Sequence, residues 1–330
     1  MLPSLSALGA TALLSISSLV SGLPVEKRAV AGPVIGSNFP DPSIIRVGNT
    51  WYSFATNNND GSGSTHVQIA KSSDFNSWTL LGKDALPNLP GWVYAANPAV
   101  WAPDVIQNDA GKFVMYFAAS RNDRFHCTGV ATSDNIEGPY TPQSDPWVCP
   151  LDQGGAIDAS GFLDSDGSRY VTYKIDGNAL GNGGVCGNTN PPIHSTPIMQ
   201  QKVAGNGIDK IGSPYQVLDR DDNDGPLVEA PSIAKLPDGR YVLFFSSNCF
   251  YSINYDVTYA IADKVSGPYT KYGPLFVSQG KHGFWSPGGA SIAGDATHLV
   301  FHSYNPGGSD TRAMYTATLK WEGNFANAEA

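Results

Sequence analysis

The sequence predicts an all-β protein that folds as a single five-bladed β-propeller. Three observations carry this prediction. One segment pattern recurs five times along the 330 residues, glycine and proline are abundant at 36 and 24 residues, and helical periodicity is absent. A repeated sheet that cannot bury both of its faces alone does so when several copies stack around an axis, as in a propeller. Two packed β-sandwich domains are the alternative architecture.

Each repeat starts with a polar or acidic residue, continues with an apolar run and a Gly/Asp turn, and ends in an aromatic-rich strand. The repeats begin at Phe39, Trp101, Ile157, Val228 and Trp285. Aligning them on their turns places five residues at one equivalent position: Asp41, Asp104, Ser160, Ser232 and Gly288. A weaker aromatic motif follows in four repeats, around Trp78, Tyr140, Tyr215 and Tyr269. Each repeat therefore has room for four strands, and we expect the first blade to begin near Asn38.

The N-terminal residues predict export from the cell. An apolar run from Ala7 to Val20 is too short to span a bilayer and is typical of a secretory signal peptide over residues 1–22. The dibasic pair Lys27-Arg28 suits a processing protease, although an ordinary linker is the alternative. Residues 23–28 are therefore a candidate propeptide, residues 29–330 the propeller, and the expected location is extracellular.

Charge and cysteine content narrow the partners and the compartment. The net charge of −9 disfavours binding to nucleic acid and to polyanionic polysaccharides, so a neutral polysaccharide is the expected partner. We expect the protein to be a monomer that does not bind membranes. The four cysteines lack the spacing of a zinc site, and in a secreted chain they predict two disulfides. Three connectivities are possible, and sequence order favours Cys127–Cys149 with Cys186–Cys249.

The repeats also predict where the chemistry lies. First strands of propeller blades line the axis in the same direction, so residues near their starts converge at one end of the channel. Asp158 and Glu229 lie close to the position shared by Asp41 and Asp104. Hydrolysis of an acetal needs one ionised carboxylate to activate water and one protonated carboxyl to assist the leaving oxygen. Aromatic faces such as Trp101 and Trp285 can stack on the C–H surfaces of sugar rings.

Four motifs make the prediction more specific. The segments NFPDPS from Asn38, WAPDV from Trp101, AIDAS from Ala156 and VEAPS from Val228 resemble those of glycoside hydrolase family 43, in the same order. The similarity extends over roughly 34–321. It implies an inverting mechanism with Asp41 as general base, Asp158 as the residue that modulates pKa and orientation, and Glu229 as general acid. Inversion implies acid and base carboxylates roughly 6.5–9.5 Å apart.

The resemblance also suggests roles for four further residues. Trp101 is similar to a sugar platform, Arg312 to an arginine that reaches the sugar subsite, and His302 to a channel histidine that helps hold an ion, often calcium, through water. Asp104 could bind substrate hydroxyls. Each residue also has a purely structural alternative. Trp101 could be a core aromatic residue and Arg312 a solvated residue at a strand end. His302 could be an ordinary strand histidine and Asp104 a turn cap. No cofactor is needed for the chemistry itself.

In its detailed sequence the chain most resembles secreted fungal exo-acting α-L-arabinofuranosidases that act on 1,5-linked arabinan. Arabinan or arabinoxylan of the plant cell wall is then the expected substrate. The alternatives are a β-xylosidase or an endo-arabinanase with the same three carboxylates. A non-catalytic carbohydrate-binding propeller is a distant alternative, because it would not need an acid, a base and their modulator together.

Overall fold

A computed structural model describes residue 1 and residues 30–58, 65–122, 124–184, 186–305 and 310–328. These residues form five four-stranded antiparallel sheets and one two-stranded hairpin. The sheets are the five blades of a β-propeller, which confirms the predicted fold class. The predicted signal peptide and propeptide lie outside the described residues, Met1 excepted. None of the described helices has the length and apolar character needed to span a membrane.

In the first four blades the strands follow one another from the axis outward. Blade one contains β2 (Ser43–Val47), β3 (Thr50–Ala55), β4 (Gln68–Ser72) and β5 (Thr79–Leu80), and blade two contains β6 (Trp101–Gln107), β7 (Phe113–Ser120), β8 (His126–Ser133) and β9 (Thr141–Pro142). Blade three contains β10 (Ala156–Leu163), β11 (Arg169–Ile175), β12 (Ile198–Val203) and β13 (Lys210–Leu218), and blade four contains β14 (Val228–Lys235), β15 (Tyr241–Ser247), β16 (Val257–Ala262) and β17 (Thr270–Phe276). Short 3₁₀ helices cover Leu151–Gln153, Gly177–Leu180 and Asp222–Asp224.

The fifth blade closes the ring with a strand from the other end of the chain. Its own strands are β18 (Trp285–Ile292), β19 (His298–Tyr304) and β20 (Arg312–Thr318), and its outermost strand is β1 (Val30–Ile35). Strand β1 pairs antiparallel with β20. The repeats do not reveal this closure, because β1 precedes the first repeat. A final hairpin, β21 (Lys320–Glu322) with β22 (Phe325–Asn327), completes the described chain.

The blades stack through apolar contacts. Every residue of β7 and β15 is buried, because neighbouring blades cover both faces of these strands. This explains why both strands appear in the sequence as continuous apolar runs rather than as alternating patterns. The described residues form five hydrophobic clusters, one at each interface between adjacent blades, including the interface between blades five and one. Burial of both faces is thus shared around the whole ring.

A backbone kink recurs where each blade meets the channel. Five non-glycine residues adopt a left-handed conformation there, with φ of 41–56°: Asp41, Ala102, Asp158, Ala230 and Ser286. In blades two to five the kink coincides with an irregularity in strand pairing. Such bulges bend a strand and redirect its side chains. Because the left-handed region costs free energy for residues other than glycine, the surrounding contacts must hold the kinks in place.

The kinks correct the alignment of the repeats. Asp41 is equivalent to Ala102 and Asp158, whereas alignment on the turns made it equivalent to Asp104. The difference arises in the first hairpin, where only Gly48 and Asn49 separate the paired residues Val47 and Thr50. In blade two, residues 108–112 separate the corresponding pair. The shorter turn shifts the alignment by two residues.

Candidate active site

One end of the channel opens into a cavity of about 580 Å³ between the loops of the blades. Five of the eight candidate residues line it: Asp41, Asp158, Glu229, Trp101 and Arg312. Three blades therefore bring their carboxylates into one pocket, as the sequence predicts. The remaining candidates, Asp104, Trp285 and His302, do not line this cavity.

Asp41 is held as an anion. Thr56 Oγ1 donates to its Oδ2 at 2.6 Å, and Nη1 of Arg312 donates to its Oδ1 at 3.1 Å. Burial alone would raise the pKa of Asp41, but the charge of Arg312, the neighbouring His302 ring and the hydrogen bond from Thr56 together lower it. Thr56 also accepts a hydrogen bond from the kink N–H of Ala102 at 2.9 Å. The carboxylate is thus both ionised and oriented.

Asp158 has the opposite tendency. Burial and the negative charge of Glu229 both disfavour its ionised form and raise its pKa well above the usual range. Its Oδ2 accepts a hydrogen bond from the kink N–H of Ala230 at 2.9 Å, which links blade three to blade four. Asp158 therefore retains a proton at a pH where Asp41 has lost its own.

Glu229 is held by two residues that the motifs did not identify. Nζ of Lys174 lies 3.0 Å from Oε2, and the hydroxyl of Tyr255 donates to Oε1 at 2.8 Å. Tyr255 needs close packing to reach this position, since a Cβ atom at Gly288 would overlap its ring. The sequence does contain a signal for Lys174, which is the one charged residue among the aromatic and β-branched residues from Tyr170 to Ile175 in the second strand of blade three. Tyr255 lies in a loop and has no such signal.

The pocket has aromatic walls on opposite blades. On blade two, Trp101 stacks on His126 with ring centroids 3.7 Å apart and an interplanar angle of 19°. Burial lowers the pKa of His126 to about 4, so the stack is between neutral rings. Across the axis, the guanidinium of Arg312 lies 5.0 Å from the ring centroid of Phe250. The predicted platform and the predicted arginine therefore both face the pocket.

Asp104 and Trp285 lie elsewhere. Asp104 is deeper in the channel, where its Oδ2 accepts the N–H of Gly161 at 2.8 Å and links blade two to blade three. Burial raises its pKa to about 7, although the Gly161 hydrogen bond opposes the rise. Trp285 begins the inner strand of blade five, pairs with Tyr304 and remains outside the cavity lining. The substrate-binding roles of Asp104 and Trp285 stay predictions.

His302 lies behind Asp41, fully buried. Its Nδ1 accepts the backbone N–H of Asp41 at 3.0 Å, and burial lowers its pKa to about 3. The neutral ring therefore carries its proton on Nε2, an atom with no hydrogen-bond partner among the described residues. An N–H group cannot ligate a cation directly but can contact the water around one. Within the described chain no group of three or more His, Cys, Asp or Glu could hold a metal. His302 thus fits an ion held through water, and the ion stays a prediction.

The four cysteines form two disulfides, one of which joins loops that line the pocket. Cys127 bonds to Cys149 and Cys186 bonds to Cys249, the pairing that sequence order favours. The second bond joins the long insertion of blade three to the loop of blade four that carries Phe250 and Tyr251. The pocket therefore combines an ionised carboxylate with a carboxyl that retains its proton, and aromatic rings form its walls. This combination suits acid–base chemistry on a substrate that has both hydroxyl groups and an apolar face.

Comparison with solved structures places this fold among known propellers. A thermostable family-43 glycoside hydrolase superposes with a TM-score of 0.72 at 23% identity, covering 90% of this chain and 93% of the other. The native Bacillus subtilis arabinanase superposes with a TM-score of 0.65 at 21% identity, covering 88% of this chain and 98% of the other. At this level of identity the similarity establishes the fold alone.

Sequence comparison extends the relationship. An extracellular endo-α-(1→5)-L-arabinanase of Thermotoga petrophila is 29% identical over 69% of this chain and 50% of its own length. Endo-arabinanase 1 of Bacillus subtilis is 24% identical over 86% of both chains, and a xylan 1,3-β-xylosidase of a Vibrio species is 28% identical over 73% of this chain and 42% of its own. The chain thus spans about half the length of the Thermotoga relative. The profile described as "Glycosyl hydrolases family 43" matches residues 30–325, and the chain belongs to this family.

Proposed function

We propose that the protein is a secreted, inverting glycoside hydrolase that releases L-arabinofuranose from the ends of α-1,5-linked arabinan and arabino-oligosaccharides. The observation that carries the proposal is the contrast between carboxyls in one pocket. Arg312 and Thr56 hold Asp41 ionised, whereas burial and mutual repulsion let the pair Asp158 and Glu229 retain one proton, which Glu229 delivers in the proposed reaction. Separated acid and base tendencies of this kind are what glycoside hydrolysis requires.

In the proposed reaction Asp41 accepts a proton from a water molecule, whose oxygen attacks the anomeric carbon of the sugar. Glu229 donates a proton to the glycosidic oxygen as its bond to that carbon breaks. Lys174 and Tyr255 fix the position of Glu229 through its two oxygens. The product leaves with inverted configuration. Proton exchange with solvent then returns Asp41 to its ionised form and Glu229 to its protonated form.

The loops around the cavity support action at chain ends. The blade-three insertion and the blade-four loop are joined by Cys186–Cys249 on one side of the cavity, and both loops line it. A fixed wall of this kind favours entry of a terminal sugar over passage of a long chain. Extracellular relatives and the two disulfides support secretion.

Endo-arabinanase activity is the second candidate, because relatives from Thermotoga petrophila and Bacillus subtilis bear that name. The test is chromatography of the products from linear arabinan at early time points. We expect L-arabinose alone from the first minutes, and no hydrolysis of xylo-oligosaccharides. A ladder of arabino-oligosaccharides would identify endo action, and release of xylose without arabinose would identify a β-xylosidase. Polarimetry or NMR of the first product distinguishes inversion from retention.

A further inference from the structure

We propose that two adjacent glycines of blade five, Gly288 and Gly289, are positioning residues for the two reacting carboxylates. Gly288 leaves the space in which Tyr255 reaches the acid Glu229, and Gly289 leaves the space that the base Asp41 occupies. The inference rests on the proposed function in one respect, namely the assignment of acid and base. Neither glycine lines the active-site cavity, so both act through other residues.

The first observation concerns Gly288 and the hydrogen-bond donor to the acid. A Cβ atom at Gly288 would overlap three atoms of the Tyr255 ring, and Tyr255 is buried. A close-packed aromatic ring yields only by moving as a whole. Such a movement would shift the phenol hydroxyl relative to Oε1 of Glu229, to which it donates at 2.8 Å. The hydrogen bond to the acid therefore depends on the absence of a side chain at Gly288.

The other blades show that the repeat itself does not require glycine at this position. Gly288 lies two residues after the kink of blade five. The same position in the other four blades holds a polar side chain: Ser43, Asp104, Ser160 and Ser232. The backbone does not require glycine either, because Gly288 does not adopt a left-handed conformation. The contact with Tyr255 is therefore what excludes a side chain in blade five.

The second observation concerns Gly289 and the base. Gly289 has φ of 57°, in the left-handed region that favours glycine. A Cβ atom here would lie 2.7 Å from Nδ1 of His302 and 3.1 Å from Oδ1 of Asp41. These two groups already contact each other, because Nδ1 of His302 accepts the backbone N–H of Asp41. An added methyl group would therefore displace the base, the ring behind it, or both.

The third observation is that this short segment contacts the surroundings of both carboxylates. The N–H of Gly289 donates to Oγ of Ser246 at 3.0 Å. Ser246 is buried and lies opposite Glu229 in the pairing of β14 with β15. The segment therefore touches blade four beside the acid and blade one at the base, with one glycine against each group. This arrangement predicts that the two glycines affect the two catalytic steps separately.

The test measures kcat/KM of alanine variants on arabinotriose and on nitrophenyl α-L-arabinofuranoside. Gly288→Ala should lower the value for arabinotriose roughly ten- to hundredfold and that for the aryl glycoside less than about threefold, because only the poor leaving group needs the acid. Gly289→Ala should lower both values roughly ten- to hundredfold, because both substrates need a water activated by the base.

Two other glycines of the same region are matched controls. Gly294 follows the same strand, has no left-handed φ and leaves open space around an added Cβ atom. Gly283 precedes the strand, has φ of 69° and also leaves open space. Gly294→Ala therefore controls for the change of residue at Gly288, and Gly283→Ala controls for backbone strain at Gly289. Both controls should retain wild-type kcat/KM on both substrates.

A double variant separates positioning from general loosening. In Tyr255→Ala the ring that a side chain at Gly288 would strike is absent. Adding Gly288→Ala to this background should therefore lower kcat/KM less than about twofold further, and should allow folding even if Gly288→Ala alone does not fold. Losses that multiply in the double variant would overturn the proposal. Equal losses on both substrates in Gly288→Ala, or a loss confined to arabinotriose in Gly289→Ala, would overturn it as well.

Failure of the proposed function has a different signature. If Asp41→Ala and Glu229→Ala respond identically to the leaving group, or if the wild type hydrolyses neither substrate, the acid and base assignment fails. The glycines are then tested by NMR of protein labelled with ¹³C at the glutamate carboxyls. The sequence contains five glutamates, so Glu229→Gln suffices to identify the signal of Glu229.

The signal of Glu229 should move in Gly288→Ala as it does in Tyr255→Phe, and should stay in place in Gly294→Ala. The ¹⁵N signals of the His302 ring should move in Gly289→Ala and stay in place in Gly283→Ala. An unmoved signal in either glycine variant rejects the positioning role of that glycine.

Discussion

The ammonium group of Lys174 is completely buried and lies 3.0 Å from Oε2 of Glu229. Its second partner is Oδ1 of Asp176 at 3.1 Å, and Asp158 also lies nearby. Burial alone would lower the pKa of Lys174, but these carboxylates raise it above the usual range. Lys174 is therefore a permanent cation that orients the proposed acid from within the sheet.

Replacing Lys174 with Met tests this relationship through the pH profile. The charge of Lys174 opposes the rise in the pKa of Asp158, so its removal should raise that pKa further. Asp158 and the proposed acid Glu229 repel each other, so their titrations are linked, and the alkaline limb of kcat/KM should then move to higher pH while kcat on arabino-oligosaccharides falls. Lys174→Arg keeps the charge and should leave the limb near its wild-type position. If the alkaline limb of kcat/KM were unchanged in Lys174→Met, Lys174 would not affect the protonation of Asp158 and Glu229.

Asp41→Ala and Glu229→Ala should differ in their response to the leaving group. Loss of the base should reduce turnover by roughly 10²- to 10⁴-fold on arabinan and aryl arabinofuranoside alike, since both reactions need an activated water. Loss of the acid should be as severe on arabinan but cost about tenfold or less on the aryl glycoside, whose leaving group needs little protonation. Steady-state kinetics on both substrates check this, with circular dichroism as the control for folding. Identical responses would contradict the assignment of acid and base.

Asp104 should make the protein less stable as pH rises. The pKa of Asp104 is about 7 in the folded chain, whereas an aspartate in the unfolded chain has its ordinary pKa of 3.8. Between pH 3.8 and pH 7 the folded form therefore binds a proton that the unfolded form lacks. The stabilising contribution is complete below pH 3.8 and is lost as pH rises toward 7. Asp104→Asn removes this dependence and keeps an acceptor for Gly161. Relative to the variant, wild type should lose on the order of 3 kcal/mol between pH 4 and pH 7.

Urea unfolding of both proteins at several pH values measures this difference directly. Asp256, whose pKa burial also raises to about 7, is present in both proteins and cancels in the comparison. Parallel curves would show that Asp104 is ionised in the folded state. The same variant tests the sequence-based role of Asp104, since an unchanged KM is expected for a residue outside the pocket.

The two disulfides should differ in their effect on binding. Cys186→Ser with Cys249→Ser removes a link across 63 residues and should cost about 4 kcal/mol, while Cys127→Ser with Cys149→Ser removes one across 22 residues and should cost about 3 kcal/mol. Thermal unfolding measures these losses. KM for arabinotriose should rise only in the first double variant, because only that bond joins two loops that line the cavity. Equal KM changes in both would mean that the effect reflects general loosening.

Sequence reasoning succeeded where the repeats carry the information. The apolar second strands and the acidic motifs were sufficient to predict five blades and the meeting of Asp41, Asp158 and Glu229 in one pocket. These features depend on short segments whose pattern recurs. The cysteine pairing followed from order along the chain, although the residues alone left three possibilities.

The remaining features depend on contacts between distant segments. Tyr255 is positioned by its loop and by the space left at Gly288, and neither appears in a motif. The predicted equivalence of Asp41 with Asp104 was wrong because the first turn of blade one is shorter than that of blade two. An alignment made on the turns does not detect this difference in length. Strand β1 carries no repeat pattern, and its partner β20 begins at Arg312.

Closure of the ring by β1 has a consequence for synthesis of the chain. Val30–Ile35 is the first strand to be made, and its partner Arg312–Thr318 is among the last. The ring therefore cannot close while the chain is still being synthesised. Until synthesis is complete, the edges of β1 and β20 that later pair with each other remain unpaired. An unpaired strand edge is open to association with other chains. Cleavage after Arg28 would leave this strand whole, whereas cleavage a few residues further on would remove the segment that seals the molecule.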